Sequence, residues 1–444
     1  MGPDLSYPHQ KRARRPLYSG FTASVHPMSA SSATLRRDSA VIGLVSVAHG
    51  ASHFFQLLLP PLFPLIKAEF DVSYAQLGVL LTIYYVISGV SQTLAGFAVD
   101  RLGARRVLFF GIVMIALPAL LAAIAPNFWV LAFAVVIAGL GNSVFHPADF
   151  TILNARVDPS RLGHAFSVHG ISGSLGWAAA PLAMTGLAVP FGWRGAMLFA
   201  GLGLLAFLVV LYFNRARLDS AADAIAFRQQ KAAESAAHAA VGAWANLSPL
   251  LTTPVWLCFG FFILLSMALS GLQSFAIPAT MDVAQVTIAT ATMALTSYFL
   301  GSTVGTLLGG FLASWTRRHD VVAASGMTVG ACLFLVMSTG VVSAWWVIPL
   351  FVLAGFSSGV TGPSRDLIVR GATPKGATGR VYGFVYSGLD AGAALVPVLV
   401  GWMLDRGHAA MVFLMVGIVL LLGVGTVIQM KQRSAPRALT LPQG

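Results

Sequence analysis

The amino-acid sequence predicts an all-α integral membrane protein, in which twelve transmembrane helices form two pseudo-symmetric six-helix bundles. Three observations predict this fold class: an apolar composition, twelve apolar stretches of spanning length, and a repeat between the two halves of the chain. Of the 444 residues, 57% are hydrophobic and 9% are charged, whereas about a quarter of the residues in a soluble domain are charged. Together with a mean hydropathy of +0.80, this composition excludes a water-soluble enzyme of this length.

Twelve stretches are long enough to cross the hydrocarbon core of a bilayer, which takes about 20 mainly apolar residues of helix. An even number of spans places both termini on the same side of the membrane. The predicted spans are residues 40–66, 74–98, 107–125, 128–154, 162–187, 195–213, 254–277, 287–313, 321–341, 344–369, 378–403 and 409–430.

The positions of the 27 Lys and Arg residues predict the orientation, because cytoplasmic loops of membrane proteins carry an excess of positive charge. Lys67, Arg194 and Arg406 fall on the side opposite the termini, and Arg365 falls inside a span. All the other basic residues fall on the side of the termini, which predicts that both termini are cytoplasmic. The net charge of +12 is therefore a signal of topology, and we expect no nucleic-acid partner.

The same pattern divides the chain into five parts. Residues 40–214 and 250–430 form the two bundles, and residues 215–249 form a cytoplasmic linker between them. Residues 1–39 form a disordered cytoplasmic tail, and residues 431–444 form a second cytoplasmic tail. The basic first segment has two alternative explanations, an organelle presequence or an extension upstream of a start at Met28.

The two halves are related by an internal repeat, as in many transporters. Shifts of 214 to 217 residues align four pairs of spans in the same order. The aligned pairs include Gln56 and Gln273, Tyr84 and Tyr298, Pro147 and Pro363, Gly176 and Gly392, and Pro181 and Pro397.

The loop after the second span carries a recognisable motif. It reads Gly96-Phe-Ala-Val-Asp100-Arg101-Leu-Gly103-Ala-Arg105-Arg106, which resembles the G-x-x-x-D-R-x-G-R-R loop of the major facilitator superfamily. The sequence Ser143-Val-Phe-His146-Pro147, together with the Gly-rich fifth span, is similar to the fosmidomycin-resistance branch of that superfamily.

This resemblance implies a secondary carrier in a bacterial inner membrane, whose two bundles rock about a central site lined mainly by spans 1, 4, 7 and 10. By analogy, Asp100 contacts a helix end of the other half, while Arg101, Arg105 and Arg106 pair with cytoplasmic acids. We expect proton-coupled efflux of a small organic solute by a monomer in the lipid bilayer. The alternatives are proton-coupled uptake of a small organic anion and, more remotely, a membrane sensor or enzyme. No cofactor and no metal site are expected.

Ionisable and amide side chains inside spans are costly in lipid and are therefore candidates for the substrate and proton pathway. His49, His53 and Gln56 lie on one stripe of the first span, and His carries protons near neutral pH. Ser270 and Gln273 form the corresponding stripe of span seven. The alternative for the histidines is that they are neutral, hydrogen-bonded packing residues.

Span four carries Asn142, His146 and Asp149 on one face. The repeat aligns Asp149 with Arg365 of span ten, and this alignment suggests either a salt bridge or joint binding of an anionic or zwitterionic substrate. A fixed structural pair, or a pair between Arg365 and its neighbour Asp366, is the alternative.

Asp390 lies near the middle of span eleven without a basic residue within one turn, which makes it a second candidate for a proton site. A hydrogen bond from a Tyr or backbone group is the competing explanation. His169 in span five is a weaker candidate.

Small residues and prolines in spans five and eleven are assigned to helix packing and to rocking of the bundles. Small residues allow close helix contact in membranes, and proline bends a helix where its neighbours satisfy the freed carbonyl. These residues are Gly173, Gly176, Pro181, Gly388, Gly392 and Pro397.

Overall fold

The computed structural model describes residues 32–219, 251–372 and 378–434, and within these ranges all regular elements are helices. The N-terminal half contains α1 (Ser32–Gln56), α2 (Phe63–Phe70), α3 (Tyr74–Leu102), α4 (Ala104–Ala123), α5 (Phe128–Asn142), α6 (Phe145–Arg156) and α7 (Leu162–Phe213). The C-terminal half contains α8 (Thr253–Ala284), α9 (Ile288–Trp315), α10 (His319–Ser338), α11 (Ala344–Ala372), α12 (Thr378–Asp405) and α13 (Ala409–Ser434).

Eleven described segments are long and apolar enough to cross a membrane, and one of them accounts for two of the twelve predicted spans. Helix α7 has 52 residues, a length of about 78 Å at about 1.5 Å per residue, more than twice the hydrocarbon thickness. The helix is interrupted at Gly192, whose φ of +67° and ψ of 171° are not helical and suit glycine because it has no Cβ. Residues 162–191 and 193–213 thus form two spans.

The first helix begins earlier than the sequence predicts. The predicted tail extends to residue 39, whereas α1 starts at Ser32. Asp38 is fully buried and accepts hydrogen bonds from the Arg161 guanidinium at 2.7 and 3.0 Å and from the Asp158 N–H at 3.0 Å. This ion pair holds the first turns of α1 against the connection between α6 and α7. The two partners are far apart in sequence, so the local sequence does not predict the pair.

Most other boundaries agree with the prediction to within a few residues. The predicted first span 40–66 is instead divided, because α1 ends at Gln56, a 3-10 helix follows at Pro60–Leu62, and α2 begins at Phe63; the prolines in this segment lack the N–H that a continuous helix uses.

Helix α8 continues to Ala284, beyond the predicted end at 277. Helix α13 continues to Ser434, into the predicted C-terminal tail, and the short 3-10 helix Arg215–Leu218 occupies the beginning of the predicted linker. The predictions for residues 1–31, 220–249 and 435–444 lie outside the described residues.

Local sequence explains how α3 begins and ends. Ser73 caps its N-terminus, since the Ser73 hydroxyl accepts from the Gln76 N–H while the Gln76 side chain accepts from the Ser73 N–H, a capping box. Gly103, with φ of +88°, is the only residue between α3 and α4, and a positive φ favours glycine.

The two halves contact each other along α3 with α12 and along α7 with α9. The Asp405 carboxylate accepts hydrogen bonds from the N–H groups of Tyr74 and Ala75, at 2.8 and 2.9 Å, where the helix dipole of α3 favours a negative charge. The Thr82 hydroxyl donates to the Ala394 carbonyl at 2.7 Å. We call this side of the molecule the Asp405 end, and the side with the α3–α4 turn the Gly103 end.

Within the N-terminal half, α1 and α7 pack backbone to backbone. A Cβ built on Gly176 would overlap the carbonyl oxygen of Gly50, and one built on Gly173 would lie 2.9 Å from the imidazole of His53. By contrast, a Cβ at Gly170 of the same helix would meet nothing within 4 Å. The small residues therefore decide how closely these two helices approach.

We predict that Gly176→Ala destabilises the purified protein by roughly 1–3 kcal/mol, because the added methyl group forces α1 and α7 apart. The measurement is the apparent melting temperature in detergent, followed by tryptophan fluorescence. Gly170→Ala is the matched control and should be neutral or slightly stabilising, since alanine is the better helix former. Equal melting temperatures for the two variants would contradict this packing.

Candidate functional site

Three helices of the N-terminal half bring four histidines and one aspartate together. Helix α1 contributes His49 and His53, one turn apart, α6 contributes His146 and Asp149, and α7 contributes His169. We call these five residues the histidine cluster. It lies in the interior of the half, since the side chains of His49, Asp149 and His169 are buried and those of His53 and His146 are half-buried.

A break between α5 and α6 presents His146 and Asp149 to the cluster. Helix α5 ends at Asn142 and α6 begins at Phe145. Pro147 explains the break, because proline has no N–H for the carbonyl four residues earlier and its ring clashes with that carbonyl. The span predicted as one helix over 128–154 is therefore two helices in series.

The imidazole rings are closely packed. The ring centroids of His49 and His169 are 3.6 Å apart with an interplanar angle of 19°. The centroid of His49 also lies 4.4 Å from that of His53 and 5.0 Å from that of His146. One potential ligand atom each from His49, His146 and His169 lies within 4.8 Å of the other two, so these three residues could hold a metal ion.

Asp149 joins this group of rings and is fully buried. Its Oδ2 atom lies 3.2 Å from His169 Nε2 and 3.4 Å from His49 Nδ1. Its Oδ1 atom makes no hydrogen bond within the described part of the chain. The aspartate thus has imidazoles from two different helices as its partners.

A tryptophan links the histidine cluster to the space between the halves. The Trp177 ring lies 4.4 Å from His53, centroid to centroid, and its Nε1–H donates to Gln56 Oε1 at 2.7 Å. On its other side, Trp177 lies 5.9 Å from Phe299 of α9. Trp177 therefore separates the cluster from the C-terminal half.

Trp177 also lines a cavity of about 470 Å³ between the halves, which we call the central cavity. Most of its other lining residues belong to α8, α9 and α11 of the C-terminal half. Tyr85 and Gln273, whose side chains hydrogen-bond at 3.3 Å, join the halves on the Asp405 side of the cavity. The polar and aromatic lining residues include Ser266, Tyr298, Phe299, Ser302, Arg365 and Asp366.

The predicted salt bridge between Asp149 and Arg365 is not formed. Arg365 Nε donates to Asp366 Oδ1 at 3.0 Å, the pairing considered as the alternative, and the Tyr386 hydroxyl donates to the same oxygen at 3.0 Å. Arg365 also lies over the ring of Phe262, 5.1 Å from its centroid. Each side chain has its partners within its own half, Asp149 among the imidazoles and Arg365 at Asp366, and no ion pair joins the two across the central cavity.

The other predicted polar residues make contacts between helices. The Ser270 hydroxyl donates to the Ala393 carbonyl at 3.0 Å, and the Asn142 amide donates to the Ser88 hydroxyl at 2.9 Å. Ser270 and Gln273 are buried and do not belong to the lining of the central cavity.

Asp390 lies where α12 crosses α3. A Cβ built on Gly89 of α3 would lie 3.1 Å from the Asp390 Cβ, so glycine leaves the space that this side chain occupies. Asp390 is half-buried, and it makes no hydrogen bond or ion pair with any side chain that the structure describes. Gly388 and Gly392 of the same helix, which the sequence assigns to helix packing, contact the backbone of α8.

The motif loop lies at the Gly103 end. Gly96, Asp100 and Arg101 belong to the last turns of α3, and Arg106 to the first turn of α4. Arg105 makes an ion pair of the expected kind, since its guanidinium lies 2.7 Å from Asp219 Oδ2.

His169 and Trp177 contribute more to the site than the sequence indicates. His169 contacts both Asp149 and His49, and Trp177 lies between the cluster and the cavity. The signal that identifies them is the stripe His169, Gly173, Gly176 on α7, which has the same helical spacing as His49, His53, Gln56 on α1.

We compared the chain with known protein families, sequences and solved structures. The sequence matches the family model of the Major Facilitator Superfamily over residues 45–278 and 259–440. The uncharacterized MFS-type transporter YfnC of Bacillus subtilis strain 168 is 25% identical over 321 residues, which are 72% of this chain and 76% of that protein.

The fosmidomycin resistance protein of Escherichia coli K12 is 26% identical over 187 residues, 42% of this chain and 46% of that protein. A bacterial homologue of the human lysosomal transporter Spinster, solved in an inward-facing and occupied conformation, superposes with a TM-score of 0.70. The superposition covers 89% of this chain and 97% of that one at 14% sequence identity, which shows a common fold.

The cavity geometry predicts which introduced thiols react with a charged, water-soluble thiol reagent. Ser302→Cys lies in the cavity wall and should be labelled much faster than Ser270→Cys, whose side chain is buried against α12. The measurement is the labelling rate of purified protein in a Cys332→Ala background, because Cys332 is exposed and Cys258 is buried. Equal rates would show that the wall is not solvated as described.

Proposed function

Because the chain belongs to the Major Facilitator Superfamily of membrane transporters, we propose that it exports a small organic compound by alternating access, in exchange for protons. The chain is a multi-pass integral membrane transporter and not an enzyme. The direction, the coupling ion and the class of solute are the proposed parts of this function.

The observation that carries the proposal is the central cavity between the two halves. Its volume of about 470 Å³ suits a small organic molecule, since ligand pockets measure about 300–1,000 Å³. Aromatic rings of Trp177, Tyr298 and Phe299 offer apolar surface, and the hydroxyls of Ser266 and Ser302 offer hydrogen bonds. This mixture of surfaces is typical of sites for amphipathic organic compounds.

The proposed direction of solute transport rests on the position of the central cavity relative to the basic residues at the Gly103 end. Basic residues of the α3–α4 turn and of the α9–α10 connection, Arg317 and Arg318, lie at the Gly103 end, which the positive-inside rule assigns to the cytoplasm. The inter-half contacts from Tyr74 to Tyr85 lie on the opposite side of the cavity. A solute would therefore enter from the cytoplasm and leave after the halves separate at the Asp405 end.

Separation of the halves at the Asp405 end would open the contact of α3 with α12 there. A Cβ on Gly78 would overlap the Pro397 carbonyl, and one on Gly401 would overlap the Tyr74 carbonyl, so the two helices meet through backbone. Such contacts contain few interlocking side chains, and Pro181 and Pro397 lie within the helices on either side of the interface. The halves can therefore slide at a small cost in packing.

We assign proton coupling to Asp390. A carboxylate inside a span without a counter-charge is costly, and a bound proton removes that cost. Tyr85 of α3 is its titratable neighbour, and no described Lys, Arg or His forms an ion pair with it. Because Asp390 lies between the halves, its solvation changes as they move, which links proton binding to the conformational cycle.

A specific observation favours a second candidate function, proton-coupled uptake of a small organic anion. Arg365 belongs to the cavity wall, and a guanidinium binds carboxylates and phosphates through paired hydrogen bonds. The two candidates differ in the solute that moves and in the direction of its movement.

The test is reconstitution into liposomes with an imposed pH gradient. We expect amphipathic cations or neutral drugs to move against the proton flow, with simultaneous proton movement reported by an internal pH dye. Movement of organic acids together with protons would instead support the second candidate. Binding of a solute without any flux would contradict both and indicate a sensor, as in the relative named membrane sensor protein UhpC, which is 23% identical over 374 residues.

We predict that Asp390→Asn abolishes solute movement driven by a pH gradient but retains solute exchange without a gradient, because the amide cannot carry the proton while the cavity remains intact. The measurement is the ratio of gradient-driven flux to counterflow in the same liposomes. Asp282→Asn, at an exposed acid of α8, is the matched control and should keep the wild-type ratio. An unchanged ratio in Asp390→Asn would exclude this residue as the proton site.

A further inference from the structure

The histidine cluster has features that transport of an organic solute does not require. We propose that His49, His146 and His169 bind one divalent first-row transition-metal ion, with Asp149 as the fourth ligand. The site lies within the N-terminal half and apart from both the central cavity and Asp390. It thus adds a metal-binding property to the proposed transport function without depending on it.

The first argument is convergence. The three imidazoles come from α1, α6 and α7, which are separate in sequence, and their ligand atoms lie within 4.8 Å of one another. Because zinc–nitrogen bonds measure about 2.0–2.1 Å, the ligand atoms would move closer together when an ion binds. Gly173 leaves room for the rings, since a Cβ at that position would crowd His49 at 3.0 Å from its Nε2 atom.

The second argument is the carboxylate. Asp149 is fully buried, and its Oδ2 atom lies 3.2 Å from His169 Nε2 and 3.4 Å from His49 Nδ1. An oxygen at these distances from two candidate ligands is in position to coordinate the same ion. It would also compensate half of the charge of a divalent cation in a region where an unpaired charge is costly.

The third argument is the set of buried atoms without hydrogen bonds. Within the described residues, His49 Nδ1 and Asp149 Oδ1 make none, although buried polar groups in proteins are nearly always paired. Each neutral imidazole has one N–H and one lone pair, and these described rings form no hydrogen bond with one another, which leaves nitrogens such as His49 Nδ1 and His53 Nδ1 unpaired. A cation satisfies these lone pairs, whereas protonation of neighbouring rings would bring like charges together.

The donor set indicates the class of metal. Imidazole nitrogens favour Zn²⁺, Ni²⁺, Co²⁺ or Cu²⁺, whereas Mg²⁺ and Ca²⁺ prefer oxygen ligands. Three histidines and one carboxylate can complete a four-coordinate site. The ion would hold the short helix α6, which the break at Pro147 separates from α5, against α1 and α7.

The experiment measures binding of Zn²⁺ and Co²⁺ to the full chain, purified through a tag without histidine and treated with a chelator. We expect one ion per chain, Co²⁺ absorption bands of four-coordinate geometry, and a higher melting temperature with Zn²⁺. His146→Gln and His169→Gln should each weaken Zn²⁺ binding by more than about tenfold, since removing even an outer partner of a metal ligand costs 10–100-fold.

His164→Gln is the matched control, because His164 lies on the same helix as His169 but is exposed. It should retain the affinity and the Co²⁺ spectrum of the parent protein. Each variant is compared with the parent by melting temperature without metal, so that loss of folding is separated from loss of a ligand. Should a ligand variant be poorly folded, carbethoxylation of the parent supplies a second measurement, since bound Zn²⁺ should protect the cluster imidazoles.

Two results would overturn the proposal. The first is equal Zn²⁺ affinity in the parent, His146→Gln and His169→Gln, which would assign the binding to histidines elsewhere in the chain. The second is the absence of any Co²⁺ spectrum together with unprotected imidazoles. Neither result would bear on solute transport, which is measured by flux and by the Asp390→Asn variant.

Discussion

The cost of an unpaired charge in hydrocarbon is the constraint on which the rest of this structure depends. Most of the charged residues placed inside the protein have partners from neighbouring helices or neighbouring positions, and Asp390, to which we assign proton coupling, is the exception. Asp38 is bound by Arg161, Arg365 by Asp366, and Asp149 lies against His49 and His169. The contacts of Asp38 and Asp149 hold α1, α6 and α7 together.

The lipid environment also explains the close packing of the helices. Lipid tails are as apolar as leucine, so helices associate through van der Waals contact and hydrogen bonds rather than through the hydrophobic effect. The contact of Gly50 with Gly176 brings the backbones of α1 and α7 together. This closeness also stacks His49 on His169 at 3.6 Å. The small residues thus build the histidine cluster as well as the bundle.

The interface between the halves is organised differently from their interiors. Its described hydrogen bonds are few, as in Asp405 with Tyr74, Thr82 with Ala394, and Thr185 with Thr292. Lys67 Nζ also lies 3.8 Å from Asp405 Oδ1 across this interface. An interface with so few polar contacts can part with the loss of a small number of them. This difference suits a carrier whose halves move as rigid bodies around the central cavity.

The sequence by itself determined the twelve spans, the repeat and the motif loop around Gly103, because hydropathy, spacing and glycine requirements are local properties of the chain. It also identified His49, His146, Asp149, Arg365 and Asp390 as costly residues. Only the tertiary structure decided their partners. Repeat symmetry suggested Asp149 with Arg365, but His169 and Asp366 are closer, since pairing depends on which helix faces meet and on where Pro147 and Gly192 break the helices.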